Sequence, residues 1–245
     1  MKCSVIAGLI IIASAAQVRA ETLEDFKKAI QAKMSGYKSI QYKIHMMSEM
    51  ATEQMSFKSI SDQTVQYVHQ GDKVLSRVDS KTSTDQKFGD TNQKSEMTSL
   101  DISDGTYDYN LSEVSGQKTA AKRKTSLKDH PSPFDVIATF AMMEKHYTLK
   151  LLPDETLDGK ASYVLEMTLK EQPPGVPIGK SKLYYDKATG IVMKAVGFDD
   201  KGHTTSTMTT SDLKFDASIP ADRFVFKAPP GITVKDETAK PEKDE

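Results

Sequence analysis

Residues 182–203 read KLYYDKATGIVMKAVGFDDKGH, and residues 219–234 read IPADRFVFKAPPGITV. The first stretch decides the fold class. Short runs of β-branched and aromatic residues are separated by Asp186–Gly190 and Asp199–Gly202, segments of small or acidic residues that end on glycine. Such a segment suits a tight hairpin loop whose last residue needs positive φ. The pattern predicts a meander of three strands, over about 181–186, 190–198 and 203–215. Many outward positions are Lys, Thr or Asp, so one face is wet and one buried, as in an antiparallel sheet curling around something.

The same period of two extends through most of the chain. Ile40, Tyr42, Ile44 and Met46 alternate with Gln41, Lys43, His45 and Met47, which predicts a half-buried strand. Further strands are expected over about 54–69, 73–79 and 94–102, with the polar residues 80–93 as an exposed hairpin loop. Ser103-Asp104-Gly105-Thr106 is a turn signature leading into Tyr107, Tyr109 and Leu111. Strands resume at Tyr147, and Asp158-Gly159 predicts a two-residue hairpin before Tyr163, Leu165, Met167 and Leu169. Gln172–Gly179 reads as a Pro/Gly loop, and 235–245 as a disordered charged tail.

Two stretches follow the helical period instead. Leu23, Phe26, Ile30 and Met34 give residues 21–36 one narrow apolar stripe, with a capping signal at Thr22 and Asp25. Ser132-Pro133 starts a second helix over about 133–145. Its apolar residues fill so much of its circumference that it must be covered on several sides or face an apolar cavity. The count is ten or eleven strands and two or more helices in one domain, 21–234, of a mainly β, α+β class.

Residues 1–20 combine Lys2, an apolar run from Val5 to Ala16, and Val18-Arg19-Ala20. They read as a secretory signal cleaved after Ala20. The expected mature chain then has no cysteine, hence neither disulfides nor thiol chemistry. With Lys2 and Arg19 in the leader, 31 of the 33 basic residues face 34 acidic ones, so no basic surplus argues for nucleic acid.

Catalytic and metal patterns are missing from the sequence. His45, His69, His130, His146 and His203 do not fall at zinc-helix spacing, no Gly-x-Ser-x-Gly elbow occurs, and no Gly-rich loop opens a helix. No enzyme activity, cofactor or metal is expected. Met46 and Met47 face opposite sides of a strand, which spoils a shared thioether copper site. The methionines suit core filling, or a cavity that accepts varied apolar ligands.

In order along the chain stand the helix with Phe26 and Ile30, Tyr37-Lys38-Ser39-Ile40-Gln41-Tyr42, Ser103-Asp104-Gly105, Ser132-Pro133-Phe134, and the ending Phe224-Val225-Phe226-Lys227-Ala228-Pro229-Pro230-Gly231-Ile232-Thr233-Val234. Together these pieces resemble the LolA family of periplasmic carriers of outer-membrane lipoproteins. The resemblance implies an open antiparallel half-barrel, covered on its concave side by helices around a cavity for acyl chains. It implies a monomeric periplasmic carrier of lipoprotein or lipid, loaded by an inner-membrane ABC transporter and unloaded at an outer-membrane receptor. The residues expected to line the cavity are Tyr42, Ile44, Met46, Tyr67, Tyr109, Phe134, Ile137, Phe140, Ala141, Met143, Leu165, Met167 and Met193. The family's Arg-Pro pair after the second strand is replaced by His69-Gln70-Gly71-Asp72-Lys73, and Arg77 nearby is displaced from it. An alternative within the same resemblance is a regulatory sensor like the lipoprotein-binding part of RseB.

Overall fold

The computed structural model describes residues 22–51, 55–126, 132–171 and 179–239. The expected leader and nearly all of the Pro/Gly loop lie outside them. Helix α1 (Leu23–Met34) is followed by β1 (Ser39–Ala51), β2 (Met55–Gln70), β3 (Lys73–Phe88), β4 (Thr91–Ser103), β5 (Tyr107–Val114) and β6 (Gln117–Lys124). Then come α2 (Val136–His146), β7 (Tyr147–Leu157), β8 (Lys160–Leu169), β9 (Lys180–Asp186), β10 (Val192–Phe198), β11 (Thr204–Phe215), a 3-10 turn Ala221–Phe224, and β12 (Val234–Asp236). Among the described residues no helix is long and apolar enough to cross a membrane.

The strands form one twelve-stranded open sheet in the order β12-β6-β5-β4-β3-β2-β1-β11-β10-β9-β8-β7. All pairs are antiparallel except β12 with β6. The expected meander is β9–β10–β11, and β11 closes onto β1 to join the two halves of the chain.

The loop expected at 80–93 is corrected. β3 and β4 pair without interruption from Ser76 and Ser103 to Phe88 and Thr91, leaving only a tight turn between them. The segment is polar because its alternating positions carry Ser or Thr on one side and charge on the other, and both kinds of residue are compatible with a paired strand. The strand count is likewise one above the expected range. β12 reaches two residues into the expected tail, where Lys235 and Asp236 pair with Ala121 and Lys122.

α1 opens on a complete capping box: Asp25 N donates to Thr22 Oγ1 at 3.1 Å, and Thr22 N donates to Asp25 Oδ2 at 3.3 Å. α2 begins three residues later than expected, because Asp135 rather than Ser132 supplies its cap, accepting from Ala138 N at 3.0 Å. Gln31 couples the helices. Its amide donates to Phe134 O at 3.2 Å, and its carbonyl accepts from Val136 N at 2.9 Å and Ile137 N at 3.3 Å. Lys27, nearly buried, bridges Glu144 of α2 at 2.6 Å and Glu24 at 2.9 Å.

The core lies between this helix pair and one half of the sheet. Phe26 is fully buried and meets Phe140, Tyr163 and Tyr185 edge-on at centroid distances of 5.5, 5.2 and 5.2 Å. Ile30, Met34, Ile40, Leu165, Met167 and Ile191 complete the cluster. The helices therefore cover the β7–β11 and β1 side of one face. The same face of β2–β6 extends beyond them.

Candidate functional site: the helix-bearing face

Directly opposed residues in a ladder share a face, so the register assigns each side chain. On β1 the helix-bearing face carries Ile40, Tyr42, Ile44, Met46, Ser48 and Met50; on β2 it carries Tyr67, Val65, Gln63, Ser61, Ser59, Phe57 and Met55. It continues through Val78, Ser80, Thr82 and Thr84 of β3, Ser95, Met97 and Ser99 of β4, and Ser112 and Val114 of β5. From β1 to β6 the charged residues on this face are Asp101, Asp108 and Arg123 alone. The reverse face carries the rest, among them Lys43, Glu49, Lys58, Asp62, Asp79, Lys81, Asp85, Lys94, Glu96, Glu113 and Lys118. These form surface pairs such as Lys81–Glu96 at 3.5 Å and Lys118–Glu113 at 3.5 Å.

The uncharged face is a band of small hydroxyl side chains with apolar ends. Thr82 Oγ1 donates to Ser61 Oγ at 3.0 Å, and Ser112 and Thr119 hydroxyls lie 2.9 Å apart. These bonds run along the sheet and satisfy hydroxyls that would otherwise demand water. Toward the helices the floor becomes Tyr42, Val65, Tyr67 and Val78. Away from them it ends in Met50, Phe57, Phe88, Met97 and Val114, of which Phe88, Met97 and Val114 are exposed. Burial pushes the Tyr42 and Tyr67 phenols above their ordinary range, the neighbouring phenol adding to the effect at Tyr42. Both therefore stay protonated donors near neutral pH.

A cleft of about 570 Å³ opens on this face where β3–β6 pass beyond α2. Tyr67, Val74, Val78 and Ala121 give it an apolar floor, with Asp101, Asp108, Asn110, Arg123, Thr125 and Ser132 around it. Asp101 accepts from Asn110 Nδ2 at 2.7 Å and from Ser99 at 3.2 Å. Asp108 accepts from Thr125 Oγ1 at 2.8 Å and faces Arg123 Nε at 3.7 Å. A second cavity, of about 670 Å³, lies on the reverse face among Lys43, His45, Asp62, Lys81, Glu113 and Lys118.

The expected cavity residues divide into four groups. Tyr42, Ile44, Met46, Tyr67, Met143 and Met193 are half-buried; Tyr42, Tyr67, Met143 and Met193 pack against the core, and register places Ile44 and Met46 on the same face. Phe134, Phe140, Leu165 and Met167 are buried in the core itself, where Phe26 fills the space expected to be hollow. Ile137, 52% exposed, and Ala141 point away from the core on the far side of α2. Tyr109 pairs with Ile102, so its ring lies on the opposite face, stacked on Phe226 at 5.0 Å, while the residue also borders the cleft over β3–β6. Sequence reasoning missed Asp101, Asp108, Asn110, Arg123 and the hydroxyl band. The missed signal is the segregation of charge to alternate positions in residues 43–118.

Arg77 is also on the reverse face. It makes two 2.7 Å bonds to Asp79 and donates to Arg223 O at 3.2 Å, while Arg223 reaches Gln66 at 3.2 Å and Asp79 at 3.3 Å. This cluster straps the segment after β11 across the sheet, with Phe224 buried beneath it. Arg77 therefore anchors the C-terminal segment and makes no contact with the helices that would latch them.

No family model matches the sequence. An uncharacterized protein of Methanocaldococcus jannaschii, MJ0687, is 30% identical over 132 residues, which is 54% of this chain but 36% of the relative. The chain thus spans about a third of that relative's length. Among solved structures, an uncharacterized conserved protein from Thermus thermophilus matches with a TM-score of 0.50 at 10% identity, over 87% of this chain and 98% of that one. That likeness is one of fold. The LolA superfamily protein NE2245 from Nitrosomonas europaea matches at 13% identity and a TM-score of 0.29, over 84% and 99%. The order of pieces on the sheet agrees with the resemblance read from the sequence: capped helix, long paired strands, Ser-Asp-Gly turn, central helix, meander and Pro-Pro-Gly segment.

The chain is also similar to MucB in the Pseudomonas aeruginosa MucA/MucB complex, at 16% identity and a TM-score of 0.44. That match covers 83% of this chain and 60% of MucB. The sheet is open as expected from the sequence, but its helices cover one half of the face, and Phe26, Phe140, Leu165 and Met167 are buried beneath them.

Proposed function

We propose that the protein binds the acyl chains of a lipid or lipoprotein on its helix-bearing face, without covalent chemistry, as a carrier in the cell envelope. The observation that carries this reading is the exclusion of charge from that face across β1–β4 as far as Asp101, while the reverse face of the same strands is charged throughout. A solvated face with no ligand has no reason to exclude charge. An acyl chain does require it, since a buried unpaired charge costs far more than each methylene returns, about 0.8 kcal/mol. The hydroxyl side chains are small, and Ser61, Thr82, Ser112 and Thr119 among them are already hydrogen-bonded along the sheet, so they leave room for a chain. Transfer between an inner-membrane transporter and an outer-membrane receptor belongs to this proposal.

Displacement of a fluorescent fatty acid tests it. Ser61→Lys and Thr82→Lys place a cation on the helix-bearing face and are expected to weaken binding tenfold or more, whereas Lys81→Ser on the reverse face leaves it unchanged. Equal effects on the two faces, or no binding by the unmodified protein, would overturn the reading. One observation favours a second reading, a regulatory module that senses lipid or binds a protein partner: Phe26 and Phe140 fill the space beneath the helices. Native mass spectra free of lipid, together with one specific protein partner, would select it.

A further inference from the structure

We infer that the cleft over β3–β6 is a binding site for a neutral, polyhydroxylated group, a sugar ring. The argument starts from what the cleft leaves free. Of the three carboxylates lining it, Asp101 and Asp108 already accept from Asn110, Ser99 and Thr125, and Glu237 is ion-paired with Lys235 at 2.9 Å, so each is held by protein groups. Among the described residues, the Asn110 side-chain carbonyl, the terminal nitrogens of Arg123 and the hydroxyls of Tyr67 and Ser76 stand at the cleft without a hydrogen bond to the protein. Among the described residues lining the cleft, Arg123 is the cation beside Asp101 and Asp108, and its side chain is 60% exposed while that of Asp108 is 19% exposed.

The pattern selects the ligand. A phosphate or carboxylate would meet more negative than positive charge and is disfavoured. A metal ion is disfavoured too, since among the described residues no group of His, Cys, Asp and Glu is placed to hold one. What remains free includes one acceptor, one fork of donors and two hydroxyls able to do both, set around the aliphatic Val74, Val78 and Ala121. A sugar ring offers the complement: hydroxyls that donate and accept, with C–H faces for the apolar floor. Planar side chains are well suited to adjacent hydroxyls because their polar atoms are spaced in a rigid fork. The volume of about 570 Å³ falls within the range of small-ligand sites. The placement is also selective: the charged residues of this face from β1 to β6 stand together here and nowhere else on it.

The ring could belong to a free saccharide or to the head of a glycolipid, and the experiment separates the two. Amide and side-chain NMR spectra of the full chain are recorded with glucose, galactose, N-acetylglucosamine and maltose, with dodecyl maltoside below its micelle concentration, and with dodecanoate. The expected result is that at least one free sugar, or the maltoside, shifts the Asn110 side-chain NH₂ and the Ala121 amide, and that Arg123→Gln weakens this binding tenfold or more. Arg123 is exposed enough that Arg123→Gln keeps the fold, which the unchanged remainder of the spectrum verifies. Maltoside binding at least tenfold tighter than maltose assigns a glycolipid; equal affinity assigns a free saccharide. If none of the sugars nor the maltoside shifts the cleft resonances, or if Arg123→Gln leaves their affinity unchanged, the inference is overturned. Dodecanoate reads acyl binding separately, so that function can stand or fall independently.

Discussion

Asp104 Oδ1 accepts from the Thr106 and Tyr107 amides at 2.8 and 2.7 Å, and Gly105 beside it has φ of +78°. A Cβ there would sit 2.8 Å from Lys73 Cβ as well as in a strained backbone region. Gly105→Ala is therefore expected to cost about 1–3 kcal/mol, seen as a lower denaturant midpoint with unchanged slope. The tyrosines supply a second prediction at this scale. Burial raises the pKa values of Tyr42, Tyr67 and Tyr185 above the ordinary value near ~10, at which the unfolded chain's phenols ionise. The unfolded state thus gives up these protons first. The contribution is complete below pH ~10 and is lost as pH climbs from there toward the folded values. Tyrosinate absorbance should lag behind that of the unfolded chain and then rise together with loss of the circular dichroism signal. If all nine tyrosines titrate near pH ~10 with the fold intact, the burial argument fails.

At the scale of elements, one side chain joins the helices. Gln31 of α1 caps the start of α2 with its carbonyl while its amide holds Phe134 O. Gln31→Ala is expected to lower stability by about 1–2 kcal/mol and to speed amide exchange at Val136 and Ile137 before it affects α1. Uniform acceleration across both helices would show that Gln31 is not the coupling. Lys27 reinforces the joint. Burial works against its charge, yet the bonds to Glu144 and Glu24 outweigh this and raise its pKa, so its contribution persists until pH rises past its ordinary range. The strands show a different balance. β3 and β4 are long and polar, and they hold as strands because each is paired on both sides.

Across the whole molecule, charge is sorted by face. The pairs on the reverse face are mostly exposed, and such pairs contribute little once solvated. Raising the salt concentration is accordingly expected to change stability by less than ~1 kcal/mol, checked by thermal melts at low and high salt. A large loss would mean that these pairs hold the sheet together. On the proposed reading the sorting leaves one face to water and the other to a ligand, a difference that the Ser61→Lys and Lys81→Ser variants contrast directly.

Much of this was legible in the chain itself. The alternation in Ile40–Met46 and the glycine-ended breaks of the meander predicted strands, and the 3–4 spacing of Leu23, Phe26, Ile30 and Met34 predicted α1. Polar composition hid β3 and β4, since Ser and Thr are common to loops and to paired strands. The face of Tyr109 depends on how Ser103 pairs across the turn with Asp108, a register that local pattern does not give. The sequence by itself determined the class of fold, the period of each strand and the separation of charged from uncharged positions, because these follow from local backbone geometry. Only the tertiary structure decided that Phe26 and Phe140 fill the space under the helices, that the helices cover half the face, and that Asp101, Asp108, Asn110 and Arg123 meet in one cleft. Those facts depend on which strands become neighbours and where a helix comes to rest, and packing between distant segments sets both.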